Sequence, residues 1–220
     1  MAGREVGWLI LTPSEPVTGR KLGVVLALHG KGGNHRDVLD LVPTDGTGRP
    51  RFNGFAIASL DCGGGYFHPR SDGTDAGALV GDEFLPLLIQ RGFDTGRLVL
   101  WGWSMGGYGA LLLSATRLRG RVAAVATMSA ALWTSPGASA PGAFESADDF
   151  RRHDVFMMRD VLTQTPLRLV CGLSDPFLQA NQEFVDGKPM GSAFTPGGHD
   201  NAYWSAAAPD QLSFAAEHLH

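Results

Sequence analysis

The 220-residue chain predicts a three-layer α/β fold, a mostly parallel central sheet with helices on both faces. Short apolar, β-rich runs alternate with segments of helical periodicity. Most of these runs are hydrophobic throughout, the pattern of strands covered on both faces. Glycine makes up 30 of the 220 residues, about double the usual 7 %, and much of it clusters just after the apolar runs. Ligands bind at that end of the strands in open α/β sheets.

In chain order the predicted strands are 7–11, 24–28, 55–60, 98–101, 122–128, 167–171 and 190–194. The first, joined to the second by a Pro/Gly-rich connection, is expected to run antiparallel. The first helical segment, 75–91, places Leu79, Val80, Phe84, Leu87 and Leu88 on one side, with Pro86 as a kink or boundary. Further helices are predicted over 108–118, 146–162, 175–185 and 203–219. The 133–162 stretch departs from the alternation and reads as a lid or cap excursion from a single 1–220 domain, or as a surface decoration.

Composition excludes several classes. A hydrophobic share of 44 % rules out a disordered polyelectrolyte. With net charge −4 and no Lys/Arg-rich run, neither nucleic acid nor an anionic membrane surface is indicated as a partner. The uncharged stretches 98–116 and 122–144 carry too many Gly, Pro, Ser and Thr residues for a membrane span. The start lacks a secretory apolar core with a cleavage site, so the expectation is a cytoplasmic protein, or a secreted one whose signal has been removed. Two cysteines build no disulfide framework. No His/Asp/Glu group has ligand spacing, and no metal or cofactor is expected.

The chemistry centres on Gly102-Trp103-Ser104-Met105-Gly106-Gly107, with a buried strand before it and an apolar helix after it. That is the context of a nucleophile elbow, where a turn too sharp for flanking side chains presents a serine. A serine hydroxyl needs a base, and the base an orienting acid; the chain order that accompanies such an elbow is Ser, acid, His. His199, in a Gly-rich turn after the last strand, is the base, ahead of His153, His218 and His220. Asp175, in the loop leaving the penultimate strand, is the acid, ahead of Asp154, Asp160, Asp186 and Asp200. It also suits a helix N-cap, since Pro176 follows. The oxyanion donors are the amide of Met105 and one from His29-Gly30-Lys31-Gly32-Gly33: Lys31, with Gly32 as the alternative. His29 is expected to fix that loop. Tyr66, Phe67 and His68 follow another glycine turn and are either substrate contacts or aromatic packing. Trp103 and Trp204 are weaker candidates for the pocket.

Together the Gly-Trp-Ser-Met-Gly-Gly-Tyr-Gly-Ala-Leu run, the His-Gly-Lys-Gly-Gly loop and the Gly-His-Asp-Asn-Ala-Tyr-Trp ending resemble the α/β-hydrolase superfamily. Within it the chain is similar to the esterase group of esterase D (S-formylglutathione hydrolase), feruloyl esterases and the antigen 85 mycolyltransferases. The resemblance spans about residues 5–219. It implies a Ser104–Asp175–His199 triad, an acyl-serine intermediate and a small-molecule ester substrate. An acyltransferase using the same serine and a non-catalytic binding protein are the alternatives. In the strand order expected for this fold Cys62 and Cys171 stand too far apart to bridge, which predicts two free thiols.

Overall fold

Seven strands, β1 Trp8–Leu11, β2 Gly23–Leu28, β3 Phe55–Leu60, β4 Asp94–Trp103, β5 Val122–Met128, β6 Leu167–Gly172 and β7 Gly191–Thr195, form one sheet in the computed structural model. The structure describes residues 5–15 and 19–219. His220 and part of the opening stretch (1–4 and 16–18) lie outside the described residues. Strand order is β1-β3-β2-β4-β5-β6-β7. β1 pairs antiparallel with β3, Trp8 opposite Leu60, and the other pairs are parallel. β4 starts earlier than its apolar run predicts. Its first residues are largely exposed and polar, so only the later, buried part carries the hydrophobic signal.

Side chains of the central strands alternate between two cores. Val24, Leu26, Leu28, Leu98 and Leu100 face one layer, with the buried side of α3 (Met105–Ala115). Val25, Ala27, Val99 and Trp101 face the other, against α7 (Asn201–His218). Burial of each of the larger aliphatic side chains stabilises the fold by about 1.5–3 kcal/mol. Among the described residues no helix is long and apolar enough to cross a membrane.

Two helical expectations are corrected. The 75–91 helix is α1 (Ala76–Ala78), a π-helical stretch over Leu79–Phe84, then α2 (Leu85–Gln90). The ring of Pro86 would crowd the carbonyl one ordinary turn back. The wide turn before it, with the Leu85 amide donating to the Val80 carbonyl, makes room. The 146–162 helix is two short ones, α4 (Ala147–Arg152) and α5 (Arg159–Leu162). Ser146 caps the first, and the Asp154 carboxylate accepts the Phe156 amide at 2.9 Å to start a separate turn between them.

The 133–162 segment is packed down rather than detached. Trp133, Phe150, Val155 and Leu162 belong to the core on the α3 side. Tyr108 donates its hydroxyl proton to the His153 carbonyl at 2.8 Å, and Arg70 donates to the Ala143 carbonyl at 2.9 Å. α6 (Leu178–Val185) follows β6. Cys62, just after β3, and Cys171, in β6, are both free and buried, and β2, β4 and β5 lie between those two strands.

Candidate active site

β4 ends at Trp103, and Ser104 takes φ 53° and ψ −120°, a strained conformation for a non-glycine residue, before α3 begins at Met105. Sterics dictate the neighbours. A Cβ on Gly102 would lie 2.2 Å from the Gly106 carbonyl oxygen, and one on Gly106 would lie 1.9 Å from that of Leu28. The elbow is held from below by the Ser104 amide, which donates to the Met128 carbonyl at 3.0 Å.

His199 and Asp175 arrive on the loops after β7 and β6, respectively. Ser104 Oγ stands 2.9 Å from His199 Nε2, and His199 Nδ1 stands 2.8 Å from Asp175 Oδ2. Since a carboxylate only accepts, the Nδ1 proton is donated to Asp175, and Nε2 is left to accept from the serine. The Asp175 side chain is fully buried and that of His199 is 23 % exposed. Burial pushes the Asp175 carboxyl up, but hydrogen bonds from His199 and the Phe177 amide, together with the adjacent Ser129 hydroxyl, outweigh it. The group sits below the usual carboxylate value. Phe177 (5.2 Å between ring centres) and Trp204 (5.1 Å, edge-on) flank the imidazole.

The helix-capping role weighed for Asp175 is not met: α6 is capped at Phe177 without a side-chain hydrogen bond, and Asp175 Oδ1 accepts the Phe177 amide at 2.8 Å in the turn that precedes the helix. Three of the rival acids are engaged elsewhere, Asp154 with the Phe156 amide. Asp200 caps α7 by accepting the Tyr203 amide, and Asp160 pairs with Lys188.

After β2 the chain turns tightly, with the Gly33 amide donating to the Gly30 carbonyl at 3.1 Å and Gly32 at φ 79°. This leaves the Lys31 and Gly32 amides at the tip of the turn, beside the elbow: a Cβ on Gly30 would lie 3.4 Å from Ser104 Cβ. Met105, first in α3, has no intrahelical acceptor for its own amide. His29 fixes the loop as expected. The Cys62 amide donates to its Nε2 at 2.9 Å, and its Nδ1 donates to the Gly30 carbonyl at 2.7 Å. Lys31 ties the same loop to the 133–162 segment through the Pro141 carbonyl at 2.9 Å.

Comparison with known proteins gives the family of the chain. A family model described as "Putative esterase" covers residues 78–215. The chain belongs to that family. The esterase is a carboxylic-ester hydrolase and takes a small-molecule ester as its substrate. A search of curated proteins finds no match. Among solved structures it is similar to a ferulic acid esterase, at 23 % identity and TM-score 0.76 over 96 % of this chain and 92 % of that one. It is similar also to an S-formylglutathione hydrolase from Agrobacterium tumefaciens, at 19 % identity and TM-score 0.75 over 97 % and 90 %. The third is MPT51 of Mycobacterium tuberculosis, at 14 % identity and TM-score 0.72 over 99 % and 95 %. At these identities the structural likeness establishes the α/β-hydrolase fold.

The expected substrate contacts are corrected in part. Phe67, His68 and Trp103 are at most 2 % exposed. Tyr66 and Phe67 adopt positive φ, 52° and 60°, which turns the loop inward. The Phe67 ring fills the space where a Cβ on Gly109 would stand. Trp103 packs against Trp101 in the α7-side core. Tyr66 is also buried, in contact range of Tyr108 and Trp133, with the Lys31 ammonium 5.8 Å from its ring centre. Trp204 alone of the five remains beside His199.

Sequence reasoning missed Ser129. It is buried at φ 51° directly after β5, beside Asp175, and its amide donates to the Val170 carbonyl at 2.8 Å. Its place at the end of a buried strand, on the same sheet edge as Ser104, was the available signal. The expectation of no ligand-like cluster is also corrected: the fold gathers His68, Asp149 and His153.

Proposed function

We propose that the esterase works through an acyl-serine intermediate on Ser104, with His199 as general base and then general acid, and Asp175 as the group that orients and charge-balances the imidazole. The observation that carries this reading is the continuous hydrogen-bonded line from Ser104 through His199 to the buried Asp175 carboxylate. His199 Nε2 accepts the Oγ proton as Oγ attacks the ester carbonyl. The amides of Lys31 and Met105 receive the oxyanion, each such donor contributing about 2.7–4 kcal/mol to the transition state. The imidazolium returns the proton to the leaving alcohol, and water activated by the same nitrogen then releases the acid.

The test is a panel of p-nitrophenyl and alkyl esters, with and without alcohol and sugar acceptors, run alongside fluorophosphonate labelling. The expected result is labelling and hydrolysis that are both lost in Ser104→Ala. Products formed mainly on the acceptor would assign acyl transfer instead. A protein that neither labels nor turns over any ester would be a binding protein on this fold.

A further inference from the structure

His68, in the loop between β3 and α1, meets Asp149 in the first turn of α4 and His153 at its C-terminal end. One potential ligand atom from each lies within 4.8 Å of the others. We propose that these three side chains bind a divalent transition-metal ion of the zinc type, which fastens the 133–162 segment to the β3–α1 loop.

The carboxylate is already aimed. Asp149 Oδ2 accepts the Glu145 amide at 2.9 Å, which leaves Oδ1 facing His153 Nδ1 at 3.0 Å and His68 Nδ1 at 3.8 Å. Zinc bonds to nitrogen and oxygen of about 2.0–2.2 Å put tetrahedral ligand atoms about 3.4 Å apart, between those two separations. His68 Nε2 stands 3.1 Å from the Ala143 carbonyl, and with the ring proton on Nε2 it donates there, as metal-bound imidazoles pass their second N–H to a backbone oxygen. That bond leaves the His68 lone pair on Nδ1, where it faces two more acceptors, Asp149 Oδ1 and the Pro69 carbonyl at 3.3 Å. A cation among these oxygens and the nitrogen removes their mutual repulsion.

Two imidazoles and a carboxylate suit zinc, with the fourth position left for water. A cleft of about 470 Å³ lined by His68, His153, Arg117 and Arg152 adjoins the cluster and supplies that water. The imidazoles stack at 4.4 Å with 19° between planes, so ligation requires one ring to turn. His153 is the one with room, its side chain 19 % exposed against a fully buried His68. Arg152, 3.6 Å from Asp149 Oδ1, is 66 % exposed and free to move into solvent.

The test uses chelator-stripped full-length protein, with cobalt(II) as an optical probe and zinc(II) in calorimetric titration. One cobalt per chain with the visible bands of a four-coordinate site, displaced by zinc, is expected, together with a melting temperature that zinc raises. His153→Ala, at a partly exposed position, and His68→Gln should each weaken zinc binding by roughly 10–100-fold or more. His218→Ala, a histidine of α7, should bind zinc as the wild type does. No stoichiometric uptake by the wild type, uptake unchanged in both cluster variants, or uptake lost equally in His218→Ala would each overturn the proposal. Ser104→Ala should bind zinc normally, which separates this outcome from that of the esterase mechanism.

Discussion

A Cβ on Gly172 would stand 2.4 Å from the carbonyl oxygen of Gly197. That contact joins the loop carrying Asp175 to the loop carrying His199. The Ser174 amide donates to the Gly197 carbonyl at 2.9 Å, and the Leu173 amide to the Thr195 carbonyl at 2.9 Å. The Asp175–His199 distance therefore depends on two backbones lying side by side with no side chain between them.

Gly172→Ala should push these loops apart without changing the chemistry of Ser104, Asp175 or His199. Displacement of about 1 Å costs on the order of 100-fold in rate. Steady-state kinetics on a p-nitrophenyl ester should show that loss in kcat, with the protein still folded by circular dichroism. An unchanged kcat would mean the glycine contact does not set the triad.

Ser104 holds a backbone conformation that glycine adopts at less cost. Ser104→Gly should remove turnover, a loss on the order of 10⁶-fold, and yet stabilise the fold by about 1 kcal/mol. Chemical denaturation with a rate assay reads both. A destabilised variant would show that the elbow is not strained.

Asp175→Asn should lower kcat by about 10⁴-fold, because the amide side chain no longer holds the imidazole in its reactive tautomer. Stability should follow pH in a definite sense. The folded Asp175 carboxyl titrates below its unfolded value of about 3.9, so its contribution is present above about pH 4 and is lost as the pH falls through the folded value. The difference in melting temperature between wild type and variant should be largest near neutral pH and shrink in acid.

Lys31→Ala should separate the two parts of its residue. The amide proposed for the oxyanion remains, while the bond from Nζ to the Pro141 carbonyl is lost. The expected result is kcat within about tenfold of wild type, since the donor worth about 2.7–4 kcal/mol is kept. A thousandfold loss would assign catalysis to the ammonium instead.

Burial pushes both thiols up, that of Cys171 to about 12, so neither forms thiolate near neutral pH. An aromatic disulfide reagent at pH 8 should leave the native protein unmodified and titrate two thiols after denaturation. Rapid reaction in the native state would show that the strands around β3 or β6 open.

The elbow was legible because it is contiguous: sharp-turn sterics act between neighbours, and they write Gly102, Gly106 and Gly107 around Ser104. His199 and Asp175 were legible because each directly follows an apolar run, and a parallel sheet brings such loops to one edge. The antiparallel direction of β1 was anticipated from its Pro/Gly-rich connection to β2, while its pairing with β3 was not. The fates of Phe67, His68 and Trp103 were not. A loop can turn its aromatic residues toward a cleft or under a helix with the same composition. Only the positive φ at Tyr66 and Phe67, held by packing against α3, decides for burial. Trp103 sits on a strand buried on both faces, so its apolar run says nothing of which face it takes.

By itself the sequence determined the α/β order of elements, and it singled out the Ser104 elbow and the two loops that meet it, since these rest on short-range sterics and on hydrophobic period. The tertiary structure alone decided the hydrogen-bonded line Ser104–His199–Asp175, the support from Ser129, and the meeting of His68 with Asp149 and His153. Those depend on where segments distant in the chain come to rest, and that is fixed by the packing of the two cores against the sheet.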